Sequence, residues 1–193
     1  MPCNISKGKA LLTCKNLTAG IKAIYLVDFK DGGLTPSGTT STETGHILNT
    51  VAGLTADSPT TKAYKFELRH TTNAFTQAQT ASEDNYTTMY APSLTFVLPN
   101  LGKEMEYQWK MMAWGRPFLF CQMNNGKYFV MGTENGCQIT GKSDLGGTID
   151  AANGYTFTAT AKESEPIFWL SAGAITGLGT MTSTLFVGED LPA

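Results

Sequence analysis

Apolar and polar residues alternate most clearly over 63–68, where Tyr64, Phe66 and Leu68 share one face and Lys65 and Glu67 the other. Period two with that contrast predicts a half-buried strand. Residues 93–98 repeat it with Leu94, Phe96 and Leu98, so the two runs are read as the arms of one long hairpin, 64–98. Between them the chain is mostly polar, with Ala81, Ser82, Glu83, Asp84 and Asn85 at the tip. The distal half of such a hairpin has little apolar surface, and an isolated ribbon is marginal in water. It needs a neighbour, which a second subunit would supply.

The other elements follow from the same patterns. Residues 22–29 are β-branched and aromatic and predict a strand ended by Asp31, Gly32 and Gly33. Residues 34–62 are rich in Thr, Ser and Gly, with Pro36 and Pro59 as breakers, and read as a long loop with a candidate strand at 46–54. Leu101, Met105, Trp109 and Met112 recur at helical spacing and predict a helix over 101–114, with Asn100 as its N-cap. Gly115 stops it and Pro117 forbids its resumption. Trp109 and Trp114 with Met111 and Met112 could form a ligand box, but the spacing favours a packed helix face.

Strands at 118–123 and 127–131 flank Asn124, Asn125 and Gly126, and Asn-Gly between apolar runs is a strong hairpin signal. Gly136 turns the chain into a strand at 137–140, and a Gly-rich connection over 141–154 leads to another at 155–162. Candidate strands at 167–170 and 183–187 complete the tail. The expected organisation is an extended arm over 1–21, a β domain over 22–168, and a Gly/Thr-rich extension over 169–193.

Composition sharpens this picture. The chain has 193 residues, 41% of them hydrophobic, enough for a packed interior. Only 16% are charged, below the roughly 25% of an average domain. A surface so poor in charge is expected to be paired or covered. The net charge of −2 and the lack of any basic run argue against nucleic acid as a tightly bound partner. No transmembrane span is readable, and residues 1–7 lack the apolar core of a signal peptide, so synthesis in a cytoplasm is expected. Asn-x-Ser/Thr triplets at Asn4, Asn16 and Asn85 carry no weight in that setting.

Candidate chemistry is sparse. Cys3, Cys14, Cys121 and Cys137 form no Cys-x-x-Cys pair and lie far in sequence from His46 and His70, which argues against zinc and for reduced thiols. Gly141, Lys142 and Ser143 imitate the end of a P-loop without its glycine spacing. Nucleophilic catalysis needs an activated Ser or Cys beside a base, and no such set is readable. The expectation is no enzyme, no cofactor, no metal and no small-molecule substrate.

Several segments in order carry a resemblance: Tyr64 to Leu68, the polar stretch with Ser82 to Asn85, Gly115-Arg116-Pro117, Asn125 to Tyr128, Gly132 to Gly136, and Gly154 to Thr158. Together, over about 22–166, the chain resembles tail-tube-like virion proteins of tailed bacteriophages and prophages, especially those of Bacteroidetes-type hosts. The order and spacing of the segments carry the likeness; each alone is turn chemistry. The resemblance implies a mainly β fold, a β-sandwich or barrel with one flanking α-helix and a long β-hairpin. It also implies rings, taken as hexameric, that stack into a tube through which DNA passes without specific binding. Its partners would be copies of itself and other tail proteins, and its place the virion. The 34–62 loop and the C-terminus depart from the family pattern. They leave open a ring at the neck, connector or baseplate, or a head-associated protein. A soluble glycan-binding sandwich using Trp109, Trp114 or Trp169 is a further alternative.

Under the assembly reading, Phe75, Tyr86 and Tyr90 are candidate apolar anchors at a subunit interface. Glu83 and Asp84 would set register against basic residues of the next subunit. The competing reading makes this an ordinary exposed loop with aromatics folded back on their own sheet. Gly115, Pro117, Gly126 and Gly136 are expected as structural turn positions.

Overall fold

The computed structural model describes residues 9, 18–29, 47–48, 62–69 and 72–182. Cys3, Cys14, His46, His70, most of the 1–21 arm and of the 34–62 loop, and the candidate strand at 183–187 lie outside the described residues.

Among the described residues, ten strands form two sheets that face each other as a sandwich, not a closed barrel. They are β1 (Ile21–Val27), β2 (Ile47–Leu48), β3 (Ala63–Glu67), β4 (Ala74–Ser82), β5 (Thr87–Pro99), β6 (Phe118–Met123), β7 (Tyr128–Met131), β8 (Gln138–Leu145), β9 (Asn153–Thr160) and β10 (Phe168–Leu170). The first sheet has the order β2-β10-β7-β6-β1-β3 and the second β4-β5-β9-β8. Every pairing is antiparallel except β10 with β2.

The main core lies between the sheets. Ile24 and Leu26 of β1, Leu119 of β6 and Met131 of β7 meet Leu94 and Phe96 of β5 and Phe157 of β9. A second cluster covers the other face of the six-stranded sheet, where Tyr25, Val27, Phe118, Phe120 and Val130 pack with Ala174 and Leu178. β1 and β6 are therefore buried on both faces, which is why they read as apolar runs without alternation. The four-stranded sheet is buried on one face only, and β5 and β9 alternate accordingly.

Helix α1 (Lys103–Trp114) follows β5, and its buried Met105 and Met112 with half-buried Leu101 and Trp109 confirm the predicted stripe. Trp109 packs edge-on against Tyr155 and Phe157, with centroids 5.8 and 5.7 Å away. The N-cap is Gly102 and not Asn100, which adopts positive φ at 72°. In place of a side-chain cap, the Tyr155 hydroxyl reaches the Gly102 backbone, accepting from its N–H at 3.2 Å.

Three expectations are corrected. The hairpin read over 64–98 does not exist as such: β3 pairs with β1, and the partner of β5 is β4. Alternation identifies a half-buried strand but does not name its partner, and β3 and the next strand, β4, belong to different sheets. Asn73 fastens the crossing, donating to Ile21 O at 3.3 Å and accepting from Val97 N at 3.4 Å. Half of the Gly-rich connection over 141–154 is strand, the end of β8 and the start of β9, and Gly141 gives room to Phe157; a Cβ there would lie 2.4 Å from that ring. Finally, a second helix, α2 (Ala172–Met181), covers the outer face of the six-stranded sheet, with Ser171 Oγ accepting from Ala174 N at its start. Its Gly and Thr content hid it, since glycine weakens any helical reading.

Candidate functional site

Strands β4 and β5 pair over nine positions, from Ala74↔Thr95 to Ser82↔Thr87. β9 accompanies β5 only from Ser93 to Pro99. Beyond Ser93 the two strands continue as a ribbon, with Ala78–Ala81 and Thr87–Met89 exposed. Asn85 N–H donates to Ser82 Oγ at 3.3 Å in the turn, and Tyr86 holds positive φ at 51°. The ribbon is thus shifted in sequence from the expected hairpin, but its tip falls where the polar run placed it.

The five candidate interface residues divide into two groups. Glu83, Asp84 and Tyr86 stand together at the tip, all exposed. Phe75 and Tyr90 stand at the root. Phe75 packs on Phe129 with centroids 4.7 Å apart and joins the main core, so it follows the folded-back reading. Ser82 lies seven residue steps along β4 from Phe75, about 24 Å along the ribbon.

The root is tied to the β9–β10 connection. Tyr90 and Glu163 exchange backbone hydrogen bonds of 2.8 and 2.9 Å, and Ala161 N–H donates to Pro92 O at 3.1 Å. The Glu163 side chain turns inward. Its Oε1 accepts from the Thr133 N–H and from Thr133 Oγ1, while Oε2 is buried without a hydrogen-bond partner among the described residues. Burial raises the pKa of this carboxyl above the ordinary carboxylate range, against the Thr133 bonds, which lower it. Burial, with the Glu163 charge adding to it, also pushes up the neighbouring Cys137 thiol, and burial raises Cys121 likewise. Both thiols are held protonated, the opposite of what a nucleophilic cysteine requires.

Three of the four expected turn positions, Gly115, Pro117 and Gly136, come together at one place. Gly136 has φ 74°, and a Cβ on it would fall 2.1 Å from Arg116 O. Pro117 O accepts from Cys137 N–H at 2.9 Å, and Gly115 caps the end of α1 through a 2.9 Å bond to Met111 O. Gly126 turns the β6–β7 hairpin with φ 80° and open space around it.

Sequence reasoning missed a second exposed surface. Lys103, Tyr107, Lys110, Met111 and Trp114 line the side of α1 opposite its buried stripe, and all are exposed. Trp114 and Met111 therefore do not belong to the core with Trp109 and Met112. The helical offsets 103, 107, 110, 111 and 114 were the available signal. Leu145, at the end of β8, and Ile149, in the β8–β9 turn, are also exposed.

Among the described residues, no group of three or more His, Cys, Asp and Glu side chains could hold a metal ion, and no helix is long and apolar enough to cross a membrane. No family model matches the chain, and neither characterised proteins nor solved structures gave a match.

Proposed function

We propose that this protein is a virion structural subunit of a phage tail, which joins copies of itself into rings that stack into the tube for DNA passage. The observation that carries the proposal is the four-stranded sheet with an open strand at each side, β4 and β8, among the described residues. β4 is nine residues long and contains no charge and no proline. Monomeric proteins usually blunt such an edge with lysine, proline or a bulge. β8, at eight residues, matches it in length. Pairing β4 of one copy with β8 of the next uses two different surfaces, and such a contact repeats until it closes a ring.

Two further features support the reading. The sheet face turned from the core is built largely of threonine: Thr95 pairs with Thr158, Val97 with Thr156, and Thr140 with Thr158. Its charges are Lys142 and Asp144, 3.8 Å apart and mutually cancelling. A neutral hydroxyl wall offers DNA no counterion-releasing contacts, as a conducting lumen requires. The projecting ribbon, supported by its own subunit only at the root, supplies the second.

Negative-stain electron microscopy of the purified protein over a concentration series tests the proposal. Stacked rings or tubes with an open lumen are the expected result. Single rings that never stack would move the assignment to a neck, connector or baseplate ring. Monomers at every concentration would overturn self-assembly.

The exposure of Trp114 favours one second reading, a soluble glycan-binding sandwich. It requires a monomer whose tryptophan fluorescence responds to sugars.

A further inference from the structure

We propose that Asn125 is a self-modifying site: it loses its side-chain amide to attack by the following glycine, and the isoaspartyl product loosens the hold of the β6–β7 turn on the residues leading into β1. Assembly plays no part in this chemistry.

Asn-Gly occurs at 125–126, 135–136 and 153–154. In such a pair the glycine nitrogen can attack the asparagine Cγ, because glycine has no side chain to shield it. The three pairs are alike in sequence and differ in their surroundings. Gly136 is buried, its N–H donates to Gly132 O at 2.9 Å, and the Arg116 carbonyl crowds it. Gly154 is buried in β9 between Pro99 and Asp144, against the Leu98 carbonyl. Asn153 Oδ1 is engaged by the Leu101 N–H at 3.2 Å. Neither glycine peptide has room to turn toward its asparagine.

Asn125 and Gly126 are both exposed, and open space surrounds Gly126. Asn125 Oδ1 accepts from Lys127 N–H at 3.0 Å. That bond polarises the side-chain carbonyl and holds it along the backbone of residues 126–127, beside the attacking nitrogen. Opposing the attack is a 3.0 Å bond from Gly126 N–H to Met123 O. It sits in an exposed turn, which opens at little cost in free energy.

In the reaction, Gly126 N gives its proton to water and bonds to Asn125 Cγ. The Cγ–Nδ2 bond breaks, and the amide nitrogen leaves as ammonia. The cyclic imide then takes up water. Opening at the side-chain carbonyl gives aspartate; opening at the main-chain carbonyl gives isoaspartate, whose chain runs on through the side-chain carbon. Nothing is oxidised or reduced, and water is the co-reactant.

The consequence falls on the preceding residue. Asn124 N–H donates to Gly20 O at 3.1 Å, and Asn124 Nδ2 donates to Ala19 O at 2.8 Å, fastening the chain just ahead of β1. Gln122 and Tyr128 pair on the inner side of the turn. Isoaspartate adds a negative charge and one carbon to the main chain within this tight turn, whose geometry depends on its length. The ladder below survives, and the grip of Asn124 on Ala19 and Gly20 does not.

The full-length protein, kept folded at mildly alkaline pH, is sampled over time by peptide mapping with mass spectrometry, and isoaspartate is labelled by an isoaspartyl methyltransferase. Conversion at Asn125 should run at least about tenfold faster than at Asn135 or Asn153, since the exposed turn opens more readily than the packed ones. In urea the three rates should draw together. Gly126→Ala, whose methyl shields the nitrogen and meets nothing else, should slow conversion in a chain that still folds. Hydrogen exchange of the aged protein should show the Asn124 amide losing protection while that of buried Phe120 keeps it. Equal rates at the three pairs in the folded chain, or a rate at Asn125 that Gly126→Ala leaves unchanged, would overturn the site. Full protection of the Asn124 amide in isoaspartyl-bearing chains would overturn the release of Ala19 and Gly20.

Discussion

Tyr90 and Glu163 exchange both of their backbone hydrogen bonds at the point where the ribbon leaves the four-stranded sheet. This short bridge extends the support of β5 past the end of its pairing with β9. Below it, Leu94 is buried in the core and half-buried Phe75 packs against it; above it, the ribbon is held by its own pairing alone. The bridge divides the residues that fold this protein from those available to a partner.

That division predicts where the chain can be cut. Replacing residues 81–88 by Asn-Gly leaves Thr80 opposite Met89 and supplies a tight turn. Thermal stability should change by less than about 0.5 kcal/mol, because only exposed pairs are lost. Self-association should disappear. Circular dichroism melting with sedimentation velocity checks both, and tubes formed by the shortened chain would count against any role for the tip.

The open edge can be tested separately from the tip. Thr76→Lys with Ala78→Lys places two charges on β4 without touching the core, since both residues are exposed. Edge lysines oppose strand addition by a second sheet. Such a variant should remain folded and monomeric at concentrations where the wild type forms rings. Rings of unchanged size by electron microscopy would show that β4 is not a ring contact.

Gly136 and Gly126 share positive φ but differ in surroundings. At Gly126 an added methyl meets nothing, so Gly126→Ala should cost about 1 kcal/mol from backbone conformation alone. At Gly136 the same methyl runs into the Arg116 carbonyl, backbone that cannot swing aside. Gly136→Ala should cost more than about 3 kcal/mol or prevent folding. Urea unfolding of the pair measures the difference, and equal losses would contradict the close approach of Arg116 to Gly136.

Glu163 predicts a pH dependence. Burial raises its carboxyl pKa above the reference value of 4.5, so the folded state binds the proton more tightly than the unfolded state. Its stabilising contribution is complete below 4.5 and is lost as pH rises through the raised value. Glu134 and Cys137 are the titratable groups beside it; the Glu134 charge disfavours that of Glu163, while the Cys137 thiol is itself pushed up by burial and by Glu163. Glu163→Gln removes this titration and keeps an oxygen for Thr133. Across a urea series from about pH 4 to 8, the variant should gain on the order of 1 kcal/mol relative to wild type. A gap that stays constant, or moves the other way, would show that Glu163 ionises freely in the fold.

Much of the architecture was legible because its signals are local. The stripe Leu101, Met105, Trp109 and Met112 marked α1, and Asn125-Gly126 marked the β6–β7 hairpin. The alternation of Tyr155, Phe157 and Ala159 marked β9. The polar run through Glu83 and Asp84 marked a tip because no core could use those residues.

By itself, then, the sequence determined the mainly β class, most of the strands, the helix α1 and the inward stripes of β5, β9 and α1. Periodicity and turn chemistry are properties of neighbouring residues, and they survive any arrangement of the strands. Only the tertiary structure decided that β3 joins β1 while β4 joins β5, that Phe75 folds inward while Tyr86 stands out, and that Trp114 leaves the core that Trp109 enters. Strands of equal amphipathicity are interchangeable until long-range contacts choose among them. Here, the crossing held by Asn73 and the bridge between Tyr90 and Glu163 reflect that choice.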